Sequence, residues 1–231
     1  MAYTLYIGNK NYSSWSLRGW LLMRASGTRF DEKMVSLNAN EQSGVYKQFS
    51  PSGLVPCLVD DAMNPQTVVW DSFAIAEYLA ERHAGLWPAD ARARAWARSI
   101  SAEMHSGFRT LRGEMAMCVR ERVDVRPWSD ALNRDVERVS AIWSETRRQF
   151  GQGGNSGGLL FGNFTAADAF YGPVAFRFRT YEVHPEGAAG EYLSALLAHP
   201  YMLEWEKAAL AETERFEADE PRILYRDKIR A

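Results

Sequence analysis

The chain has 231 residues, of which 46% are hydrophobic and 24% are charged, and its formal net charge is -2. This length allows one large or two modest domains, each with its own core. The small net charge gives no general attraction to nucleic acid or to an anionic membrane surface, and no apolar run is long enough to span a bilayer. The N-terminal MAYTLYIGNK has the pattern of a strand and not of a secretory signal, so we expect a cytoplasmic protein.

The two cysteines, Cys57 and Cys118, are too few for a disulfide framework, and neither has a Cys or His at metal-ligand spacing. We therefore expect two buried thiols in a reducing compartment and no metal site. Aromatic residues make up 13% of the chain, and many of them must lie in a core or line a pocket.

The first third of the chain alternates between short extended segments and helices. Leu5–Ile7 is predicted to be a strand, a helix follows from about Ser16 to Ser26, and residues 29–35 form a second extended segment. This tight strand, helix, strand order predicts a parallel crossover unit. Residues 38–52 are polar and rich in turn formers, with one short helix predicted at 45–48.

A hairpin and a helix complete this part of the chain. A third strand is predicted at 54–60, a turn at 61–66 and a strand at 67–70, which would pair back in antiparallel fashion. Phe73–Arg82 follows with apolar residues at helical spacing. The order of elements is therefore βαβ and then ββα.

The remainder of the chain is helical in pattern. Residues 84–90 (AGLWPAD) have the composition of a linker. Apolar residues at every third or fourth position from Trp96 to Val119 predict one long amphipathic helix, a second is predicted at 129–150, and 151–158 (GQGGNSGG) is predicted to be a flexible loop. Three further helices are predicted at 166–181, 190–198 and 201–213, and a charged surface tail is predicted at 217–231.

Residues 9–20 (NKNYSSWSLRGW) carry the candidate chemistry of the chain. Ser13, Ser14 and Ser16 lie where the first helix begins, and the unpaired N–H groups and dipole of a helix N-terminus stabilise an anion there. The alternative is that one of these serines simply caps the helix. The stretch by itself leaves both interpretations open.

The whole chain resembles the cytosolic glutathione transferase family. The resemblance rests on the βαβ–ββα order, Val55-Pro56 before the third strand, Asp71-Ser72 at the start of the third helix, and the FTAADAF segment in the helical part. It implies an α/β plus all-α fold, with a thioredoxin-like glutathione-binding domain at 1–83, a linker at 84–90 and an all-helical domain forming the second-substrate pocket at 91–231. The implied activity is that of a glutathione transferase, which ionises the glutathione thiol for attack on small hydrophobic electrophiles without a metal.

The resemblance assigns the thiolate site to the serines. Ser13 matches the serine that stabilises the thiolate in serine-type members, and Ser14 is the nearest substitute. Ser13 and Ser16 have the spacing of the two cysteines of thioredoxin-like redox proteins, but a hydroxyl cannot form a mixed disulfide, so disulfide exchange is excluded. Lowering a thiol pKa by about two units corresponds to ~2.7 kcal/mol, which a charge-assisted hydrogen bond and a helix N-terminus together supply.

The resemblance also assigns the rest of the glutathione site. Val55, joined by an implied cis peptide to Pro56, would pair its backbone with the cysteinyl part. Asp71 and Ser72 would receive the γ-glutamyl end, with the carboxylate of that end at a helix N-terminus. Many members have glutamate where this chain has the shorter Asp71.

Two contacts are less defined by the sequence. The glycyl carboxylate needs a cation, for which Lys47 and Lys10 are equal candidates. The second substrate would lie between the domains, over the first half of the long helix. The residues expected there are Met104, His105, Phe108 and Arg109, of which half must instead belong to the core.

Other functions are compatible with the same motifs. Residues 13–16 (SSWS) are similar to the SSCS of the zeta-type maleylacetoacetate isomerases, with Trp15 at their cysteine position. No cluster of arginines is evident in the sequence to take a dicarboxylate, so conjugation is preferred over a glutathione-dependent isomerase. A dehalogenase would differ only in the second-substrate pocket. The intact serines and the Asp71-Ser72 pair favour an enzyme over a non-enzymatic binding module. The resemblance implies a homodimer, with no nucleic acid or membrane partner.

Overall fold

The computed structural model describes residues 3–151 and 157–229, so the predicted flexible loop at 151–158 falls mostly outside the described residues. Within them, four strands form one sheet in the order β2-β1-β3-β4. The strands are β1 (Tyr3–Ile7), β2 (Asp31–Met34), β3 (Cys57–Asp60) and β4 (Thr67–Trp70). β1 pairs parallel with β2 and antiparallel with β3, and β3 pairs antiparallel with β4. The predicted βαβ–ββα order is confirmed.

Three helices accompany the sheet: α1 (Ser14–Ala25), α2 (Leu37–Ser43) and α3 (Ser72–Ala80). α1 begins two residues earlier than predicted, so Ser14 is its first residue. α2 was not predicted, because none of its residues is buried and it therefore has no apolar periodicity. It is capped instead by Ser36, whose side chain accepts from the Ala39 N–H, and it ends at Gly44 with φ 65°.

The remaining regular secondary structure of the described chain is almost entirely helical. Its helices are α4 (Ala91–Ser106), α5 (Arg109–Glu114), α6 (Asp130–Phe150), α7 (Ala166–Thr180), α8 (Gly187–Leu197), α9 (Pro200–Ala211) and α10 (Pro221–Leu224). α6 and the three helices after it lie close to their predicted positions, and α10 is a single turn in the predicted tail.

The single long helix predicted from Trp96 to Val119 is wrong. α4 ends at Gly107, and Phe108 has φ 53°, a left-handed conformation from which α5 starts in a new direction. Residues 115–129 are not helical, although Met115 and Val119 are buried as their pattern indicated. The apolar periodicity thus predicted burial correctly and helix continuity incorrectly.

α7 is the central helix of the molecule. Every residue in it except Arg179 is buried, and it packs against both α1 and α4. At the crossing with α1, a Cβ on Gly172 would lie 2.6 Å from Leu21 Cδ1, so a larger residue there would require the Leu21 side chain to move. A capping box of Thr165 and Asp168 fixes the start of α7.

Cys57 and Cys118 are free and buried, as predicted. Burial raises the pKa of Cys57 to about 11 and that of Cys118 to about 12, so both are thiols at neutral pH. Residues 3–151 and 157–229 contain no helix that is long and apolar enough to cross a bilayer. The same residues contain no group of three or more His, Cys, Asp or Glu placed to hold a metal ion.

Candidate functional site

The serines at the start of α1 form a short hydrogen-bonded chain. Ser13 is the N-cap residue, but its side chain makes no capping hydrogen bond. Its hydroxyl donates to Ser16 Oγ at 2.7 Å, and the same oxygen accepts the Gly8 N–H at 2.9 Å. Ser13 therefore does not act as a side-chain cap, and among the described residues no side chain caps the first N–H groups of α1, which can bind another partner.

Two cavities meet at Trp15, which lines both of them. The first cavity has a volume of about 390 Å³. It is lined by Trp15, Ser52, Leu54, Val55, Pro56, Trp70, Asp71 and Ser72. The structure therefore brings together four of the predicted site residues: Val55, Pro56, Asp71 and Ser72.

The walls of the first cavity are built by local chain geometry. The Val55–Pro56 peptide bond is cis. Pro56 lies directly on α1, since a Cβ on Gly19 would be 2.7 Å from the proline Cβ. Ser72 is fully buried at the N-terminus of α3, and its hydroxyl has no hydrogen-bond partner among the described residues. A buried polar group without a partner is costly, so this hydroxyl is suited to a ligand in the cavity.

Asp71 joins the first cavity to the helical part of the molecule. It has φ 75°, and its Oδ1 accepts the Phe73 N–H at 2.7 Å, which caps α3. Its Oδ2 lies 3.2 Å from Nε2 of His105 on α4. Burial lowers the pKa of His105, and the positive charges of Arg18 and Arg112 lower it further, whereas Asp71 raises it. His105 thus faces Asp71 and not the predicted second-substrate pocket.

The second cavity, of about 520 Å³, lies on the other side of Trp15. It contains three of the predicted residues, Ser13, Ser14 and Arg109. The rest of its lining is Tyr12, Trp15, Leu37, Arg112, Gly113, Ala116, Met117, Arg177 and Asp219. These residues come from five separate segments of the chain.

The second cavity has a positively charged wall. Arg177 is only 5% exposed, and its Nη2 donates to Ser14 Oγ at 3.1 Å while Nη1 donates to the Met115 carbonyl. Arg112 donates to the His105 carbonyl at 3.3 Å. Within the described chain, Arg109, Arg112 and Arg177 form no ion pair, and Asp219 is the only acid in the lining.

Burial lowers the pKa of Arg112 and Arg177 but leaves both protonated. It lowers the pKa of Arg177 to about 10, and that of Arg112 is also lowered by burial and by neighbouring Arg109. Both guanidinium groups stay protonated at neutral pH. Arg18 lies beneath Trp15 with its guanidinium 4.3 Å from the indole centroid, and its Nε and Nη1 have no hydrogen-bond partner among the described residues. Positive charge is therefore concentrated around Trp15 and Ser14.

Besides His105, four predicted residues lie outside both cavities. Lys47 is exposed on the 3₁₀ turn after α2. Lys10 is ion-paired with Glu32 at 2.8 Å and is only 12% exposed. Met104 and Phe108 are part of the hydrophobic core, at 0% and 9% exposure.

The sequence prediction missed Arg112, Arg177 and Asp219, and it gave Trp15 no role. One signal for Arg177 was available, since this residue stands between Phe176 and Phe178 in a largely apolar helix. A charge on a buried face requires a partner or a ligand. Arg112 and Asp219 have no comparable signal. Arg112 reaches the cavity because the helix breaks at Phe108, and Asp219 reaches it because of the path that the C-terminal tail follows.

Family models match both halves of the chain. The model described as glutathione S-transferase, N-terminal domain, matches residues 12–82 and so includes Ser13, the cis peptide and Asp71-Ser72. The model described as glutathione S-transferase, C-terminal domain, matches residues 127–208. Together they cover about two thirds of the chain. The comparison with curated protein sequences gave no significant match.

Solved structures share the fold at low sequence identity. A glutathione transferase homologue from Burkholderia with bound glutathione is 22% identical, with a TM-score of 0.64 over 91% of this chain and 98% of that one. Maleylacetoacetate isomerase from Anaeromyxobacter dehalogenans, with dicarboxyethyl glutathione and citrate in its active site, is 22% identical, with a TM-score of 0.63 over 93% and 98%. Glutathione transferase Omega 3C from Trametes versicolor is 16% identical, with a TM-score of 0.65 over 93% and 91%.

The three similarities indicate a shared architecture, and the two family models assign the chain by sequence. The thioredoxin-like sheet with a helical C-terminal part, the cis Val55–Pro56 bond and the serine-bearing start of α1 agree with that assignment. The chain belongs to the glutathione S-transferase family.

Proposed function

We propose that glutathione binds in the first cavity with its sulfur at the Ser13–Ser14 end of α1, and that the electrophile binds in the second cavity. The observation that carries this proposal is the position of Trp15, which separates the two cavities while Ser13 and Ser14 lie beside it. A thiolate held at this border reaches a molecule in the second cavity directly. The glutathione seen in the Burkholderia homologue supports the same ligand here.

Ser13 is the proposed thiolate donor. In the structure the Ser13 hydroxyl donates to Ser16 Oγ, which also accepts the Gly8 N–H. When glutathione binds, this bond would reverse, so that Ser16 donates to Ser13 and Ser13 donates to the sulfur. Hydrogen bonds arranged in such a chain strengthen one another. A hydrogen bond to a charged group contributes about 1.5–3 kcal/mol and a helix N-terminus about 0.3–1 kcal/mol, which matches the ~2.7 kcal/mol needed to lower the thiol pKa by about two units.

The first cavity offers contacts for the γ-glutamyl and cysteinyl parts of the tripeptide, and the glycyl carboxylate would need a cation from outside its lining. The Ser72 hydroxyl and the N-terminus of α3 suit the γ-glutamyl carboxylate, and Asp71 suits its ammonium group. The backbone of Val55 would pair with the cysteinyl part. Lys47 is the better candidate for the glycyl carboxylate, because Lys10 is already paired with Glu32.

The test of this proposal is a pair of serine variants. In Ser13→Ala, we expect kcat for conjugation to fall about 30- to 100-fold and the pH–rate midpoint to rise by about one to two units, because the thiolate loses its donor. In Ser14→Ala, the midpoint should stay in place while KM for the electrophile rises. Thermal melting checks that both variants fold. A Ser13→Ala enzyme with unchanged rate and unchanged midpoint would refute the role of Ser13.

The domain organisation and cellular context belong to the same proposal. Residues 1–83 would bind glutathione, 84–90 would link, and 91–231 would supply the wall of the second cavity. The free buried cysteines support a reducing, cytoplasmic location.

The proposed assembly is a homodimer. Exposed Met63 and Trp70 lie on the hairpin at the sheet edge and support burial in a homodimer, which sedimentation velocity would detect.

A second candidate activity is glutathione-dependent isomerisation of an unsaturated dicarboxylate. It is favoured by Arg109, Arg112 and Arg177, three cations without an ion pair in the described chain, beside the thiolate position, where a carboxylate is the natural ligand. The Anaeromyxobacter isomerase holds dicarboxyethyl glutathione and citrate in its active site. In this reaction the thiolate adds to one carbon of the cis double bond, the resulting single bond rotates, and the thiolate leaves to give the trans product.

The two activities differ in whether glutathione is consumed. Conjugation removes one free thiol for each product formed, whereas isomerisation regenerates glutathione. The absorbance of the cis and trans dicarboxylates can be followed together with the titre of free thiol. Turnover at constant thiol would assign the isomerase, and stoichiometric loss of thiol would assign the transferase.

A further inference from the structure

We infer that residues 212–220, here called the C-terminal strap, position the catalytic serine loop through the carboxylates of Glu212, Glu214 and Glu220. The catalytic part of this inference rests on the function proposed above. The loop is residues 9–13, between β1 and α1, and its internal backbone hydrogen bonds run from the Tyr12 and Ser13 N–H groups to the Asn9 carbonyl. Other contacts must therefore hold its remaining polar groups.

Glu212 binds the backbone of the loop directly. Its Oε1 accepts the Lys10 N–H at 2.6 Å and its Oε2 accepts the Asn11 N–H at 3.0 Å. Its own carbonyl is held by Arg120 Nη2 at 2.7 Å. One carboxylate that accepts from two successive N–H groups fixes the Asn9–Lys10 and Lys10–Asn11 peptide planes, so the strap orients the loop two residues before Ser13.

Glu214 and Glu220 hold the two ends of the same loop. Glu214 accepts from Asn9 Nδ2 at 3.1 Å and from the Ser36 hydroxyl, which connects the loop to the N-cap of α2. Glu220 is 2% exposed and accepts the Tyr12 hydroxyl. Three carboxylates thus contact all four residues that precede Ser13, since Lys10 and Asn11 are held by Glu212.

The strap also reaches the second cavity, whose lining includes Asp219. The opposite side of Asn11 is held by residues 119 and 120, because the Asn11 carbonyl accepts the Val119 N–H and its side chain accepts the Arg120 N–H. The loop is therefore clamped between the strap and the segment after α5. A group that must hold a thiolate in one orientation needs such supporting contacts.

The matched variants are Glu212→Gln and Glu217→Gln. The first substitution keeps the size of the side chain at position 212 but presents an amide NH₂ to one of the two backbone N–H groups. Glu217 lies in the same strap, is exposed, and makes no side-chain hydrogen bond among the described residues, so its variant controls for the loss of charge. Glu214→Gln serves as a second test variant if thermal melting shows that Glu212→Gln does not fold.

Two measurements on the full chain test the strap. Hydrogen–deuterium exchange of the glutathione-free protein should be faster at residues 10–13 in Glu212→Gln and unchanged in Glu217→Gln. Conjugation or isomerisation kcat should fall about tenfold in Glu212→Gln, with KM for glutathione changed by less than about threefold, because misplacement of a positioned group costs rate more than binding.

The outcomes separate the two proposals. Unchanged exchange in Glu212→Gln would overturn the strap as a support of the loop. Faster exchange with wild-type kcat would overturn its catalytic role. If the wild-type chain turns over no glutathione substrate, the proposed function fails, while the exchange measurement still decides whether the strap holds the loop.

Discussion

The two cavities that share Trp15 are built in opposite ways. The first cavity takes its other lining residues from two short stretches, 52–56 and 70–72, so its shape follows from local chain geometry. The second cavity collects residues from the serine loop, α2, the α5 region, α7 and the strap. A ligand site of the first kind can be recognised from motifs, whereas one of the second kind depends on how distant segments pack.

The two cavities also differ in charge. The first contains the acid Asp71 and the bare hydroxyl of Ser72, which suit a zwitterionic peptide end. The second contains Arg109, Arg112 and Arg177 against the acid Asp219. We therefore expect variants of the first cavity to change glutathione affinity, and variants of the second to change the choice of electrophile.

The largest expected effect is that of Arg177→Gln on an anionic electrophile. Loss of a charged hydrogen bond costs about 2–3 kcal/mol, so kcat/KM for an unsaturated dicarboxylate should fall about 30- to 100-fold. For a neutral aryl halide the loss should stay below about tenfold. The control is Arg179→Gln on the same helix, which removes an ion pair with Glu206 outside the lining. Equal losses for both electrophiles would show that Arg177 does not select the electrophile by its charge.

A smaller effect is expected for Ser72→Ala in the first cavity. KM for glutathione should rise about tenfold, corresponding to ~1.4 kcal/mol, with kcat nearly unchanged. Without glutathione the variant should be as stable as the wild type or more so, because a buried hydroxyl that lacks a partner in the described chain is removed.

Ser101→Ala is the matched control for Ser72→Ala. Ser101 is also fully buried with a hydroxyl that has no partner among the described residues, but it lies in α4 outside both cavity linings. Its variant should show the same stability change and an unaltered KM. If both variants raise KM equally, the Ser72 hydroxyl is not a specific glutathione contact. Titration calorimetry with glutathione gives the affinity independently of turnover.

The sequence predicted the parts of the site that short motifs encode. The first cavity is lined by Val55-Pro56, which leads into a strand, and by Asp71-Ser72, which begins a helix. Each pair has a local structural role that its own residues indicate. The element order of the sheet followed from the same local signals. The carboxylates of the strap were not predicted, because their contacts with the loop are to backbone N–H groups, a side-chain amide and a hydroxyl, which leave no charge pattern in the sequence.

The break at Phe108 explains most of the error in the second cavity. A continuous helix would have placed Met104, Phe108 and Arg109 along one surface, and apolar periodicity carries no information about a single left-handed residue. With Phe108 at φ 53°, Met104 and Phe108 face the core while Arg109 and Arg112 reach the cavity. The arginine cluster therefore became visible only when the chain direction after Phe108 was known.

The smallest expected effect is a pH dependence of stability at His105, which lies between the two charge environments. Burial and the arginines lower its pKa below the ordinary value of 6.5, while Asp71 acts in the opposite direction. Below about pH 6.5 the unfolded chain then binds more protons than the folded one, so the free energy of unfolding should decrease as the pH falls. Because the side chain is 25% exposed, solvent screens these interactions and the decrease should be small.

The measurement is urea unfolding at several pH values between about 5 and 8 for the wild type and for His105→Gln. The variant should lose stability less steeply below about pH 6.5, and the difference between the two slopes isolates His105 from the other titrating groups. His184→Gln is the control, since this histidine is 77% exposed beside Glu182. A steeper decrease in His105→Gln than in the wild type would mean that the folded pKa is raised. Asp71 in the first cavity would then raise the pKa of His105 more strongly than burial, Arg18 and Arg112 lower it.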